Sequence, residues 1–167
     1  GVPAESAYTL TTAPEQAPDT PETLTIQFQD GLPVALDGVR YADGCALIGA
    51  LNARAGAHGI GRGVHLGTTV LGIKGRVAFE APALVTLINA HVELEKAVLT
   101  SKQIFWKAQL GTLYGDMLHE GLYFDPLMRD LEAFMASSQG RVTGTVSLSL
   151  FKGHATILGS ESPFSMM

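Results

Sequence analysis

The sequence predicts an α+β fold, a mainly antiparallel sheet packed with four helices. Strand-like runs come in pairs joined by tight-turn signals, Asp30-Gly31 and Lys152-Gly153 among them, which is the pattern of hairpins and so of antiparallel pairing. Four longer stretches carry apolar residues at helical spacing, three of them opening on Asp43, Pro82 or Pro126, residue types that cap or start helices. The resulting order is hairpin, helix, hairpin, three helices, hairpin, with no internal repeat of fixed period.

Residues 1–22 read as an extended linker or arm. Four of the eight prolines and four acids (Glu5, Glu15, Asp19, Glu22) lie in this part of the chain, with no base. Such a composition leaves little to bury. Residues 23–167 are the domain. Thr23 to Phe28 alternates as a strand, with Leu24, Ile26 and Phe28 on one face. Asp30-Gly31 turns the chain into Leu32 to Leu36, and Asp37-Gly38 turns it again. Asp43 caps a helix with Leu47, Ile48, Leu51 and Ala55 on one side, ending near Gly56 to Gly59. Two short strands are expected on either side of Gly67, the second an apolar run, Val70 to Ile73, that enters a basic turn, Lys74-Gly75-Arg76. Leu84, Leu87, Ile88, His91 and Glu95 mark the helix that opens at Pro82. The next helix spans Lys102 to His119, with Gly111 and Gly115 weakening its middle or allowing close packing. Leu127, Leu131, Phe134 and Met135 mark the last helix, and Arg141 to Phe151 with Ala155 to Leu158 closes the chain as a hairpin.

With 167 residues and 46% hydrophobic content, such a domain buries roughly 68–70% of its unfolded surface. No apolar run reaches spanning length, and the N-terminus has neither the basic nor the apolar region of a signal peptide. The single Cys45 has no internal disulfide partner, which fits a cytoplasmic location. Net charge is −5, and with the acidic arm set aside the body is near neutral. That leaves no electrostatic footprint for nucleic acid or an anionic membrane.

Few residues carry a chemical signal. Gly59, Gly61, Gly63 and Gly67 suggest a phosphate loop, but they follow a helix C-terminus instead of preceding an N-terminus, and turn glycines are the better reading. Lys74 and Arg76 read either as a solvated turn or as an edge that holds a carboxylate. His91 and Glu95 stand at i, i+4 with no third ligand placed by sequence, so a packed or ion-paired histidine is favoured over a metal site. His65 reads as a half-buried strand histidine or as a wall of the cavity beside Gly67. His58, His119 and His154 form no constellation, and Cys45 falls on a core-like helix face. Trp106, Tyr114 and Tyr123 suit a core or an interface. There is no nucleophile elbow, no metal set and no catalytic residue in the chain.

Several motifs, in order, carry a family resemblance: Gly72-Ile73-Lys74-Gly75-Arg76, Glu80-Ala81-Pro82 with His91 nine residues on, Gly121-Leu122-Tyr123-Phe124-Asp125-Pro126, Gln139-Gly140-Arg141-Val142-Thr143-Gly144-Thr145-Val146, Lys152-Gly153, and Glu161-Ser162-Pro163. Together they resemble the synthetase domain of argininosuccinate synthase. The resemblance implies a carbon–nitrogen ligase of arginine biosynthesis that joins citrulline to aspartate with ATP and releases AMP and pyrophosphate. It implies that ATP, with Mg, is bound mainly by an N-terminal nucleotide-binding domain through a Ser-Gly-Gly-x-Asp-Thr-Ser loop, which this sequence lacks. It also implies a homotetramer built with a C-terminal arm, and an isolated chain that is inactive. This domain would supply the citrulline-side wall, with Gly67, Thr68, Thr69 and Phe79 lining it, His65 beside it, and Lys74 and Arg76 setting the local potential.

Three departures bear on that role. A Val-Glu-Asn-Arg segment of the best-known branch is Leu66-Gly67-Thr68-Thr69 here, which removes a citrulline-contacting carboxylate. Phe79 stands where that branch has a citrulline-contacting tyrosine, and Ser160 where the family commonly has arginine. A divergent branch, in which backbone near Gly67 with Thr68, Thr69 or His65 takes over, is favoured. A non-catalytic module that kept the fold, and a separate small-molecule enzyme using His65 and Lys74, are the rivals.

Overall fold

A computed structural model describes residues 2–167. After two single-turn 3₁₀ helices, Glu5–Ala7 and Pro14–Gln16, come β1 (Glu22–Gln29), β2 (Leu32–Leu36), β3 (Val39–Arg40) and α1 (Gly44–Ala57). Next are β4 (Arg62–Thr68), β5 (Lys74–Glu80), α2 (Pro82–Val98), α3 (Ser101–His119), α4 (Pro126–Gln139), β6 (Gly144–Phe151) and β7 (His154–Glu161). The order β3-β2-β1-β6-β7 forms one sheet and β4-β5 a separate pair, all antiparallel. The predicted α+β class and its four helices are present.

The turns follow from local chemistry. Asp30 and Gly31 have φ of 49° and 81°, Asp37 and Gly38 49° and 78°, and Lys152 and Gly153 41° and 88°. Two successive positive φ values define the type I′ turn, whose twist suits a two-residue hairpin loop and which Asp-Gly favours. The Asp37 carboxylate accepts from the Thr25 amide at 2.7 Å and from Arg54 at 2.6 Å, which ties this turn to β1 and α1. Partial burial works against the charged form of Asp37, but those donors prevail and hold its carboxyl below the usual range.

Alternation along β1 and β6 puts one sheet face inside. Leu24 and Ile26 stand opposite Leu148 and Val146, and all four are fully buried. Leu47, Leu51 and Ala55 of α1, with Ala83, Ala90 and Leu94 of α2, cover this face in a single cluster. At ~1.5–3 kcal/mol for each fully buried large side chain, this layer is the main source of stability. The α3–α4 hairpin has its own small core of Met117, Met128 and Leu131. Thr100 and Gln103 cap α3 reciprocally, while Phe105 and Trp106 remain more than half exposed. Between this hairpin and the main core runs a polar chain. Lys107 Nζ of α3 lies 2.9 Å from the buried Glu95 of α2, Gln139 of α4 donates to the same carboxylate at 2.9 Å, and His91 Nε2 lies 2.9 Å from the Gln139 amide oxygen.

Some expectations need correction. Val70 to Ile73 is not a strand; it is the loop between β4 and β5, closed by Gly72 N–H to Thr69 O at 2.8 Å and Thr69 N–H to Ile73 O at 2.8 Å. Its apolar side chains are exposed, so the run imitates a buried strand without a partner layer. Lys74-Gly75-Arg76 is correspondingly the start of β5, not a turn, and Gly67 lies inside β4. Cys45 is exposed. Among its described residues the arm contains no α-helix, and β1 begins at Glu22. Short as it is on apolar groups, it packs against the body: Ala13 and Ala17 are buried, and Thr12 donates to the Gly56 carbonyl at 2.9 Å.

Candidate functional site

The β4–β5 hairpin carries all seven sequence-predicted site residues, but its register divides them. Gly63 pairs with Phe79, His65 with Val77 and Gly67 with Gly75, so these six residues share one face. Leu66 pairs with Arg76 and Thr68 with Lys74 on the opposite face. The structure therefore brings His65, Gly67 and Phe79 together and sets Lys74 and Arg76 behind them. Lys74 Nζ donates to Thr68 Oγ1 at 2.6 Å across the pair. Thr69 opens the connecting loop, its hydroxyl accepting from the Ile73 amide at 3.2 Å.

Two glycines on the first face act as seats for rings. A Cβ on Gly63 would lie 3.0 Å from the Phe79 ring, and one on Gly67 would lie 2.5 Å from His65 Nε2. Any side chain at position 67 would thus displace the imidazole. The His65 ring occupies the volume that a side chain at position 67 would take.

The hairpin tip faces the end of α3. His65, Thr68 and Thr69 on one side, and Asp116, His119 and Glu120 on the other, line an open cleft of about 580 Å³. His119 Nε2 reaches the Thr68 carbonyl at 3.2 Å and closes one end. This set mixes carboxylates, imidazoles and hydroxyls, and so can bind both ammonium and hydrogen-bond donors of a small polar ligand. Sequence reading missed Asp116, His119 and Glu120. Their i, i+3, i+4 spacing puts them on one helix face, but only the tertiary fold aims that face at the hairpin. Among the described residues no group of three or more His, Cys, Asp or Glu is arranged to hold a metal.

The base of the hairpin is anchored to the arm. Arg62 and Glu80 pair across the two strands. The Glu80 carboxylate accepts from the amides of Thr9 at 2.7 Å, Leu10 at 2.9 Å and Thr11 at 2.8 Å, and from the Thr11 hydroxyl at 2.6 Å. Partial burial acts to raise the Glu80 carboxyl, but these four donors outweigh it and lower it from 4.5 to about 2. Arg62 donates to Thr11 Oγ1 at 2.9 Å and to the Thr11 carbonyl at 3.1 Å, pairs with Glu5 at 2.8 Å, and lies 4.1 Å from the centre of the Tyr8 ring.

His91 takes no part in this cleft. Burial pushes its imidazole below the ordinary range against the pull of Glu95, and the Lys107 ammonium adds to the shift. It packs edge-on to Phe28 with ring centres 5.5 Å apart, which makes it a packed histidine and not a ligand. Nor do the glycines after α1 cradle phosphates. A Cβ on Gly59 would meet the Thr12 carbonyl at 2.7 Å, and one on Gly61 the Pro82 backbone at 2.6 Å. These residues do not fit a nucleotide, since that space is filled by the chain itself.

The family model described as Arginosuccinate synthase C-terminal domain matches residues 1–167. The chain belongs to the argininosuccinate synthase family. It is 43% identical over 164 residues to the argininosuccinate synthase of Bacillus pumilus, covering 98% of this chain and 40% of the relative. The corresponding protein of Methanopyrus kandleri is 44% identical over 161 residues, covering 96% and 40%. That of Chlorobium chlorochromatii is 43% identical over 164 residues, covering 98% and 41%. The chain thus spans about two fifths of the length of the curated relatives it matches.

Proposed function

We propose that this chain is the substrate-side wall of an argininosuccinate synthase, a cytoplasmic ligase that condenses citrulline with aspartate using ATP and releases AMP and pyrophosphate. The observation that carries this reading is the conjunction of family membership with a hairpin whose His65, Gly67 and Phe79 share one face and whose His65 lines a polar cleft. His65 fills the space beside Gly67 and offers a ring nitrogen to the amino-acid substrate, while Thr69 adds a hydroxyl and Thr68, its own hydroxyl turned to Lys74, adds backbone. Asp116 and Glu120 offer carboxylates to its ammonium. Lys74 and Arg76, on the other face, act through local potential and not through contact. ATP, with Mg, is held mainly by a nucleotide-binding domain of the same protein, and the chemistry takes place between the two within a homo-oligomer. This domain's work is then to bind and orient citrulline and to exclude water, which are positioning effects. The chain alone hydrolyses no ATP.

The test is kinetic, in the full-length protein. His65→Ala should raise KM for citrulline about three- to tenfold, the effect of losing one polar contact, and leave KM for ATP within twofold. An unchanged citrulline KM would refute the role given to His65. The second reading, a module that kept the fold and lost its substrate contacts, is favoured by the missing carboxylate and hydroxyl at Gly67 and Phe79. Absence of citrulline binding at millimolar concentration in the full-length wild type would establish it.

A further inference from the structure

We infer that Arg62 and Glu80 are positioning residues that fasten the N-terminal arm to the β4–β5 hairpin, so that the placement of residues 5–11 sets where the His65–Phe79 face stands. The substrate part of this inference rests on the reading proposed above; the mechanical part does not.

The geometry is specific. Arg62 begins β4 and Glu80 ends β5, and the two are directly opposed. They are the last rung before the hairpin joins the body. Beyond it the hairpin has no second layer: Val64, Leu66, Val77 and Phe79 are all at least 40% exposed, on both of its faces. Its orientation is therefore decided mainly at the base, the tip adding the contact of His119 Nε2 with the Thr68 carbonyl. On the body side, Ala81 N–H donates to the Gly61 carbonyl at 2.8 Å. On the arm side, Glu80 gathers three consecutive amides and one hydroxyl. Three successive backbone N–H groups converging on a single carboxylate fix the path of Thr9 to Thr11 in both position and direction, and charge-assisted bonds of this kind are about twice as strong as neutral ones. Arg62 fixes the same segment from the other strand through the Thr11 hydroxyl and carbonyl, and extends the grip to Glu5 and Tyr8. Thr11 Oγ1 joins the two sides, donating to Glu80 and accepting from Arg62. A displacement of the arm is thus passed to both strands at once, and a hairpin with little other support carries it to the substrate face.

The test uses the full-length protein with Glu80→Gln, and Thr11→Val as a milder change that removes the shared hydroxyl. A neutral amide offers one acceptor oxygen where the carboxylate offers two. Hydrogen exchange should accelerate about tenfold in peptides covering Thr9 to Thr11 and in peptides covering β4 and β5, with the core strand β6 unchanged. Thr11→Val should give a smaller acceleration in the same two places. KM for citrulline should rise several-fold with kcat within twofold. Faster exchange in the arm with an unchanged hairpin would overturn the coupling, and no acceleration in either would overturn the clamp. If both accelerate while the wild type itself has no affinity for citrulline, the clamp stands and the substrate reading falls. If the wild type binds citrulline and the variant's KM is unmoved, the claim that the clamp positions the substrate face is wrong.

Discussion

Lys107→Met should lower the stability of the protein by about 3 kcal/mol. Lys107 lies on α3, a helix whose exposed faces contribute little to the main core, and its ammonium reaches Glu95 at 2.9 Å. The Glu95 side chain is 7% exposed and that of Lys107 25%. Removing one partner of such a pair leaves a charge without compensation in a poorly solvated place, which costs ~3–5 kcal/mol for a fully buried pair. The partial exposure of Lys107 brings the figure to the lower end. Gln139 still donates to Glu95, so the carboxylate is not wholly abandoned, while burial pushes the His91 imidazole below its ordinary range and disfavours it as a replacement cation. The double variant Lys107→Met with Glu95→Gln should recover about half of the loss, because no buried charge is then orphaned. Urea denaturation of the three proteins measures this directly, and equal losses in the single and double variants would mean that packing, not charge, is what Lys107 supplies.

The second large effect is expected from Gly61→Ala, one methyl group at the root of the hairpin. Gly61 has φ of 84°, a left-handed conformation that costs an L-residue roughly 1–2 kcal/mol. Its added Cβ would also lie 2.6 Å from Pro82 Cα and 2.7 Å from the Ala81 carbonyl carbon and oxygen. These are backbone atoms, so relief must come from moving the start of α2 or the hairpin itself. Backbone strain and displacement together should cost about 3 kcal/mol. Since the hairpin is the less supported of the two, it should move, and citrulline KM should rise more than in His65→Ala. A variant with wild-type stability and KM would show that the junction is looser than its geometry indicates. Gly67→Ala is the informative contrast. It leaves the junction untouched and displaces only the flexible end of His65, so its effect belongs on binding and not on stability.

Local chemistry explains which parts of this fold were legible in the sequence. Asp30-Gly31, Asp37-Gly38 and Lys152-Gly153 announce type I′ turns because few residue pairs tolerate two positive φ values. Asp43 accepts from Ala46 at its helix start, as a cap reading requires. The alternation of Leu24, Ile26 and Phe28 gives the buried face. What misled was Val70 to Ile73, where an apolar run without a covering layer has the same one-dimensional signature as a core strand. That error moved the strand boundary by one segment and put Lys74 and Arg76 in a turn beside His65, when β-sheet alternation places them on the other face. Asp116, His119 and Glu120 were invisible for a different reason. A polar helix face is ordinarily a solvated one, and only the path of the chain from α2 through α3 turns it toward the hairpin. The arm was read as having little to bury, and it is indeed poor in large apolar groups. Its attachment is instead polar, through Glu80 and Arg62, residues seventy and fifty-one positions away from Leu10 and Thr11, a separation no local pattern can reveal.

The central claim, that the hairpin face with His65 and the facing end of α3 form one substrate wall, is most directly tested by observing the histidine ring protons of the full-length protein by NMR during a citrulline titration. Saturable shifts of both His65 and His119 are expected, with His154, an exposed residue on β7, unaffected. Saturable binding of citrulline that leaves the His65 and His119 resonances in place would contradict it.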